Sequence, residues 1–145
     1  MRMIKKKAQM EISFGMIFSI ILIIAFLGVG FYAIVKFLDL QKSIQIETFS
    51  RNLQNDVDTM WKSAGGSQNL NYQLPTKISS VCFIDDPTQN LQFTSNEIIK
   101  GKEINNLDIG NITAIENPYC INNIKGKVSL TLAKDFGETL VKVMR

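Results

Sequence analysis

The stretch that decides the fold is ISFGMIFSIILIIAFLGVGFYAIV, residues 12–35, which carries no charged side chain over 24 positions. A helix of that length spans roughly 36 Å, more than the ~30 Å hydrocarbon core of a bilayer. A secretory signal has an apolar region of only about 7–15 residues, closed by a small-residue cleavage site. The run therefore predicts an uncleaved transmembrane helix over residues 12–38, with the lipid bilayer as its partner. A core helix of a soluble domain is the alternative, and it is rare at this length.

The charges on the two flanks of this run predict its orientation. Basic residues crowd the N-terminal flank, residues 1–11, where Lys5, Lys6 and Lys7 are consecutive. They are spread more thinly on the other flank, at positions 36, 42 and 51. Because positive flanks stay in the cytoplasm, we expect a cytoplasmic basic leader over residues 1–11. The protein is then a single-pass membrane protein whose C-terminal domain is extracytoplasmic.

The net charge of +3 divides unevenly along the chain. Residues 1–38 hold five basic side chains and one acidic, whereas residues 39–145 hold eleven basic and twelve acidic. A nucleic-acid-binding protein carries its Lys and Arg clustered on the folded domain. The basic character here belongs to the membrane topology, and we predict no nucleic-acid partner.

Beyond the apolar run, the pattern predicts an amphipathic extension of the same helix over residues 39–64. Apolar residues recur there mostly four apart, and Gly65 and Gly66 then end the helix. We expect this stripe to pack on the chain's own head domain or, as an alternative, on neighbouring subunits. Its members are Leu40, Ile44, Phe49, Leu53, Val57, Met60 and Trp61.

Residues 65–145 predict a small β-rich head. The segment 77–86 has an apolar strand core, and 91–100 is a weaker strand candidate. Residues 127–134 alternate apolar and polar side chains, and a turn around 135–137 then leads into TLVKV, a pattern typical of a β-hairpin. The segment 104–127 is rich in Asn and Gly and is predicted to be loop. The fold class is α+β, a long helix followed by an antiparallel head.

The two cysteines, Cys82 and Cys120, both lie in this head. Two cysteines in a small exported domain usually pair, and a bridge here would add on the order of 4 kcal/mol in the chain-entropy model. Two free buried thiols are the alternative. One Asn-x-Thr triplet, at Asn111, is a candidate glycosylation site.

Candidate catalytic and metal-binding groups are few. The chain has no histidine, which removes the commonest general base and every Ser-His or Cys-His pair. The triplet Asp135-Phe136-Gly137 matches a kinase magnesium motif without the rest of that signature. Asp85 and Asp86 precede a proline, a pattern typical of a strand-ending turn. We predict no enzyme activity, no cofactor, no metal and no identifiable small-molecule ligand.

The start of the chain, KKKAQMEIS at residues 5–13, together with the long helix and small head, resembles archaeal type IV pilin-like proteins. In that family a small residue precedes the processing site and an acidic residue follows a few positions later. The resemblance implies Ala8 before the cut, Gln9 as the first mature residue and Glu11 as the acidic residue of assembly. The family more often has glycine before the cut and glutamate at the fifth mature position, whereas Glu11 is at the third.

In a filament of this kind the apolar helices leave lipid and pack on each other. Small residues permit that close approach, and Glu11 would pair with the new α-amino group at Gln9 of a neighbour. The function predicted first is a pilin-like structural or adhesive subunit. The second is an uncleaved, anchored binding or assembly-accessory module, and a membrane-tethered enzyme is third. The small residues are Gly15, Ser19, Ala25, Gly28 and Gly30.

Overall fold

The computed structural model describes residues 14–96 and 99–145. It has one long helix followed by two small antiparallel sheets, which confirms the predicted α+β class. The chain divides into two compact units, Met1–Leu40 and Gln41–Arg145. The elements are α1 (Phe14–Lys62), β1 (Gly66–Gln73), β2 (Ile78–Phe83), β3 (Leu91–Ser95), α2 (Ile109–Ile112), β4 (Tyr119–Asn122), β5 (Lys127–Lys134) and β6 (Lys142–Met144).

In the first unit, the described residues 14–40 are all helical and all exposed. The side chains are almost entirely apolar, and Phe14, Phe26 and Phe31 each leave more than 70% of their surface uncovered. Ser19 satisfies its hydroxyl within the helix by donating to the Gly15 carbonyl oxygen, over 2.8 Å. A helix with this composition meets its own backbone hydrogen-bond needs and leaves an apolar surface all round.

The second unit begins with the rest of α1, which ends at Lys62, three residues before Gly65. Gly65 has a φ of +151°, and an added Cβ would lie 3.1 Å from the carbonyl oxygen of Lys134. A side chain at this position would therefore strain the backbone and would also crowd the neighbouring strand. The chain reverses here, and β1 returns alongside α1.

The strands form two sheets, in the orders β1-β5-β6 and β3-β2-β4. The predicted hairpin is confirmed, because β5 pairs antiparallel with β6 and buries Val128, Leu130 and Leu132. The predicted loop over 104–127 is wrong in part, since it contains α2 and β4. The sequence-based prediction also missed β1, and the second strand candidate is shorter than expected, ending at Ser95.

Phe49 of α1 joins the two sheets in one core. Its ring is nearly perpendicular to that of Tyr72, from the first sheet, at 5.2 Å between centroids, and to that of Phe93, from the second, at 5.9 Å. Leu53 and Val57 follow on the same helix face and have no exposed surface. Because large apolar side chains from all three layers meet here, this helix segment is an integral part of the head.

The predicted stripe is buried over only part of its length. Phe49, Leu53, Val57 and Met60 are buried, and Ile46, which the four-residue spacing does not include, is buried with them. The other members of the stripe are exposed, namely Leu40, Ile44 and Trp61. The head therefore covers the helix face from Ile46 onward and leaves the earlier positions open.

Candidate functional site

The first candidate region is residues 14–40, the described part of the first unit, here called the apolar segment. By length and composition, helix α1 could cross a membrane. No residue in its most apolar 18-residue stretch is buried. The order of elements along the chain also agrees with the resemblance to pilin-like proteins, because one long apolar helix precedes a small antiparallel head. The apolar segment is a candidate membrane span.

The second candidate region is a cleft around Arg145, here called the Arg145 cleft. The guanidinium group lies 4.6 Å from the centre of the Tyr119 ring and forms an ion pair with Glu116. The backbone N–H of Arg145 donates to the Tyr119 hydroxyl oxygen over 2.9 Å. These contacts hold a cation, a carboxylate and an aromatic ring in one place, half exposed to solvent.

The Arg145 cleft has a volume of about 620 Å³ and lies where β4 and β5 separate. The connection between the two strands contains Lys125 and Gly126, both with positive φ, and Ile124, just after β4, forms a β-bridge with Lys127 at the start of β5. Two smaller depressions, of about 360 and 310 Å³, also include Arg145. The residues that line the Arg145 cleft present more apolar than polar surface: Glu116, Cys120, Ile121, Asn122, Ile124, Lys127, Ser129 and Arg145.

Cys82 and Cys120 form a disulfide. They are direct partners in the antiparallel register of β2 and β4, so the bridge ties the central strand of the second sheet to an edge strand. Cys82 is buried, whereas Cys120 lines the Arg145 cleft. Among the described residues there is no free cysteine.

Asn111, the candidate glycosylation site, lies exposed on the short helix α2. Asp108 caps this helix by accepting from the Asn111 backbone N–H over 3.1 Å. The third residue of the triplet, Thr113, is buried and donates its hydroxyl to the Ile109 carbonyl oxygen over 2.7 Å. In the folded head the asparagine is accessible, but the threonine hydroxyl is occupied.

Two carboxylates that the sequence motifs include, those of Asp86 and Asp135, have separate structural partners. The backbone N–H of Thr88, its hydroxyl and the N–H of Gln89 donate to Asp86, and these bonds hold the pKa of Asp86 below its usual range. Asp135 lies in the turn before β6 and pairs with Lys142 at 2.9 Å. Over residues 14–96 and 99–145 there is no group of three metal-ligating side chains.

The residues predicted to direct topology, processing and assembly lie outside the described part of the chain. They are Lys5, Lys6, Lys7, Ala8, Gln9 and Glu11. Their roles stay predictions.

Comparisons with protein-family models, with curated proteins and with solved structures found no match to this chain. The sequence-based prediction did not find the Arg145 cleft, because Tyr119 and Arg145 are 26 positions apart and neither has a local motif. Only the position of β4 beside the end of β6 brings them together.

Proposed function

We propose that this protein is a membrane-anchored, pilin-like structural subunit with an exported, non-enzymatic head. One observation carries the proposal: every described residue from 14 to 40 is exposed, although nearly all are apolar. Soluble proteins rarely leave contiguous apolar patches larger than a few hundred Å² in water. This apolar surface must therefore be buried, either in lipid or against the same segment of other copies.

The disulfide supports export of the head. Disulfides persist in oxidising compartments outside the cytoplasm, and Cys82–Cys120 lies well beyond the apolar segment. Together with the basic N-terminal flank, it favours a cytoplasmic N-terminus and an extracytoplasmic C-terminal domain at the cell membrane. This orientation is part of the proposal.

Self-assembly through the apolar segment is supported by its small residues. A Cβ added at Gly28 or Gly30 would meet no atom within 4 Å, so the described chain itself does not require glycine there. Small residues let neighbouring helices approach closely in lipid. A contact between copies is therefore one role that these glycines can serve.

The Arg145 cleft favours the second candidate, an uncleaved anchored module that binds a partner through its head. Its volume of about 620 Å³ falls within the range of ligand pockets, roughly 300–1,000 Å³. A structural subunit has no evident need for a cleft of this kind, whereas a binding or accessory module does.

Mass spectrometry of the native protein, combined with electron microscopy of surface material, tests the first proposal. A mature N-terminus at Gln9 and filaments containing this chain are the expected results. Replacing Ala8 with Tyr should block cleavage and filaments, because the small residue is lost, while Ala8→Gly serves as the matched control. An intact Met1 on a protein that is extracted as a monomer would refute the filament role and favour the anchored module.

A further inference from the structure

Strand β1 forms one edge of the first sheet, and its outer side is open. It pairs with β5 over residues 66–73 in an unbroken antiparallel register. Over residues 14–96 and 99–145, no backbone hydrogen bond reaches the other side of β1. The N–H of Leu74 donates to Gly126, on the β5 side, and backbone groups alternate between the two sides of a strand. The free N–H and C=O groups therefore belong to Ser67, Asn69, Asn71 and Gln73.

This edge lacks the features that normally protect one. Proteins shield edge strands with charge, proline, bulges or short length, because an open edge is a template for another strand. The sequence of β1, GSQNLNYQ, has no charged residue and no proline, and its register has no bulge. At eight residues it is long for an edge strand.

The other edges of the two sheets differ from β1 in this respect. Strand β6 has only three residues, and its Lys142 is held by Asp135 and Glu138. The outer side of β3 is bridged at Leu91 by the backbone of Lys102. Strand β4 has four residues and lies beside the Arg145 cleft. The long open edge of β1 is therefore a specific feature of this head, not a general property of its sheets.

We propose that β1 pairs antiparallel with β1 of a second copy of this chain, about a two-fold axis at Leu70. Hydrogen-bonded pairs must join residues whose backbone groups face the open side. Centring the axis on Leu70 uses all of them, because Asn69 then pairs with Asn71 of the second copy and Ser67 with Gln73. The first sheets of the two copies become one continuous six-stranded sheet.

The side chains of β1 suit self-pairing. A charge near a two-fold axis would lie close to its own copy, and like charges opposite each other destabilise a sheet. None is present from Gly66 to Gln73. On the outer face, Asn71 and Asn69 accept hydroxyl hydrogen bonds from Ser129 and Thr131 at 2.6 Å. Their amide oxygens are thus occupied, and their amide N–H groups are left to bond across the new pair.

The inner face offers space for the second copy as well. Leu70, which packs partly on the core, would meet Leu70 of the second copy. Gln68 is exposed on that side and would face Tyr72 of the second copy. A groove of about 270 Å³ lies beside Tyr72, between α1 and the end of β1, and has room for that glutamine.

Strand pairing differs from the association of apolar segments proposed above. Strand β1 runs back along α1, since Tyr72 donates to Asp56 over 2.6 Å and also contacts Phe49. The two-fold axis reverses both elements, so the Ile46–Met60 segments of the two copies run in opposite directions. Helices of one topology in one membrane run in the same direction. Two copies anchored side by side in one membrane therefore cannot form this strand pair. It joins copies whose apolar segments lie in different membranes or micelles, so each association can fail without the other.

Disulfide cross-linking of the full chain in detergent tests the register. The new thiols are Asn69→Cys in one preparation and Asn71→Cys in another, and the native disulfide leaves no described cysteine free. Hydrogen-bonded partners lie about 5.5 Å apart at Cα, within disulfide range, whereas diagonal neighbours lie about 7–8 Å apart. We expect cross-linked dimers mainly when the two variants are mixed. Equal cross-linking of each variant alone would overturn this register.

Charge exchange tests the edge itself, with sedimentation velocity as the measurement. Asn69→Lys with Asn71→Lys should weaken dimerisation about tenfold, because two like-charged pairs oppose each other. Asn69→Asp with Asn71→Asp should do the same, and mixing the two proteins should restore the dimer. Gln92→Lys with Thr94→Lys, two exposed positions spaced alike on β3 of the other sheet, is the matched control. A monomeric wild type, or dimers that persist in all variants, would overturn the proposal.

Discussion

Lys134 donates a hydrogen bond from its ammonium group to the carbonyl oxygen of Trp61, over 2.6 Å, at the end of α1. A second bond, of 2.9 Å, reaches the carbonyl oxygen of Ser63. Lys134 is only 9% exposed, so this is a buried cation held by a helix C-terminus. The last carbonyl groups of a helix lack partners within it and carry partial negative charge. The contact therefore fastens β5 to the helix.

Replacing Lys134 with Met should destabilise the head by about 1–3 kcal/mol, because buried carbonyl groups lose charged hydrogen bonds. The measurement is chemical denaturation of the full chain in detergent, followed by the fluorescence of Trp61. Lys127→Met, at the exposed start of the same strand, is the matched control and should change stability little. Equal stability of the two variants would show that the Lys134 contact contributes nothing.

Leu53→Ala should cost about 2–5 kcal/mol, because Leu53 is fully buried and its removal leaves a cavity between the helix and the sheets. Ile44→Ala removes an apolar side chain from the same helix at a position that is 55% exposed. Denaturation midpoints of the two variants should separate clearly. A small loss for Leu53→Ala would mean that the helix segment is not part of the head's core.

Reduction of the Cys82–Cys120 disulfide should lower the stability of the head by about 2–5 kcal/mol. The bridge closes a loop of 38 residues, and its loss restores that freedom to the unfolded chain. Thermal melts with and without reductant measure the effect, and Cys82→Ser with Cys120→Ser should reproduce it. In that double variant the reductant should have no further effect; a shift there would point to a cause other than this bridge.

The stability of the head should fall at alkaline pH, because Tyr72 loses its stabilising contribution there. Burial is the largest cause that raises the pKa of its hydroxyl, and the hydrogen bond and charge of Asp56 raise that pKa further. The stabilising contribution is therefore complete below the ordinary tyrosine pKa of about 10 and is lost as pH rises above it. Stability curves from pH 8 to 11 for the wild type and Tyr72→Phe should converge at high pH. Curves that remain parallel would contradict this assignment.

Ala25→Arg should reduce membrane insertion, because arginine near the centre of a span costs about 2.5–3.5 kcal/mol on insertion scales. Ala25 lies in the middle of the apolar segment and is exposed. Gln41→Arg, just beyond that segment, is the control and should insert like the wild type. Alkaline extraction of membranes separates inserted from released protein. Full retention of Ala25→Arg would argue against a span in this segment.

The pattern of residues predicted the helix, its end within a few residues of the glycine pair and the β5–β6 hairpin, because each has a strong local signal. Val128, Leu130 and Leu132 alternate with polar residues, and one face of the hairpin is accordingly buried. Strand β1 has no such signal. Asn is disfavoured in strands, and only Tyr72 of its eight residues is buried, so pairing with β5 decides its structure.

The helix stripe was predicted only in part for a related reason. Four-residue spacing identifies an apolar face but does not say where along the helix the head ends. Ile46 is buried because the sheets reach it, and Ile44, with the same kind of side chain, is exposed because they do not.

The sequence by itself determined that the apolar segment is a helix whose surface must be buried. A helix makes its backbone hydrogen bonds internally, whatever surrounds it. The sequence also determined the α+β class and made a disulfide in the head the expected pairing. Only the tertiary structure decided that Cys82 faces Cys120 across two strands, that Lys134 meets the end of α1, and that β1 keeps an open edge. Those outcomes depend on contacts between residues far apart in sequence, which local patterns do not encode.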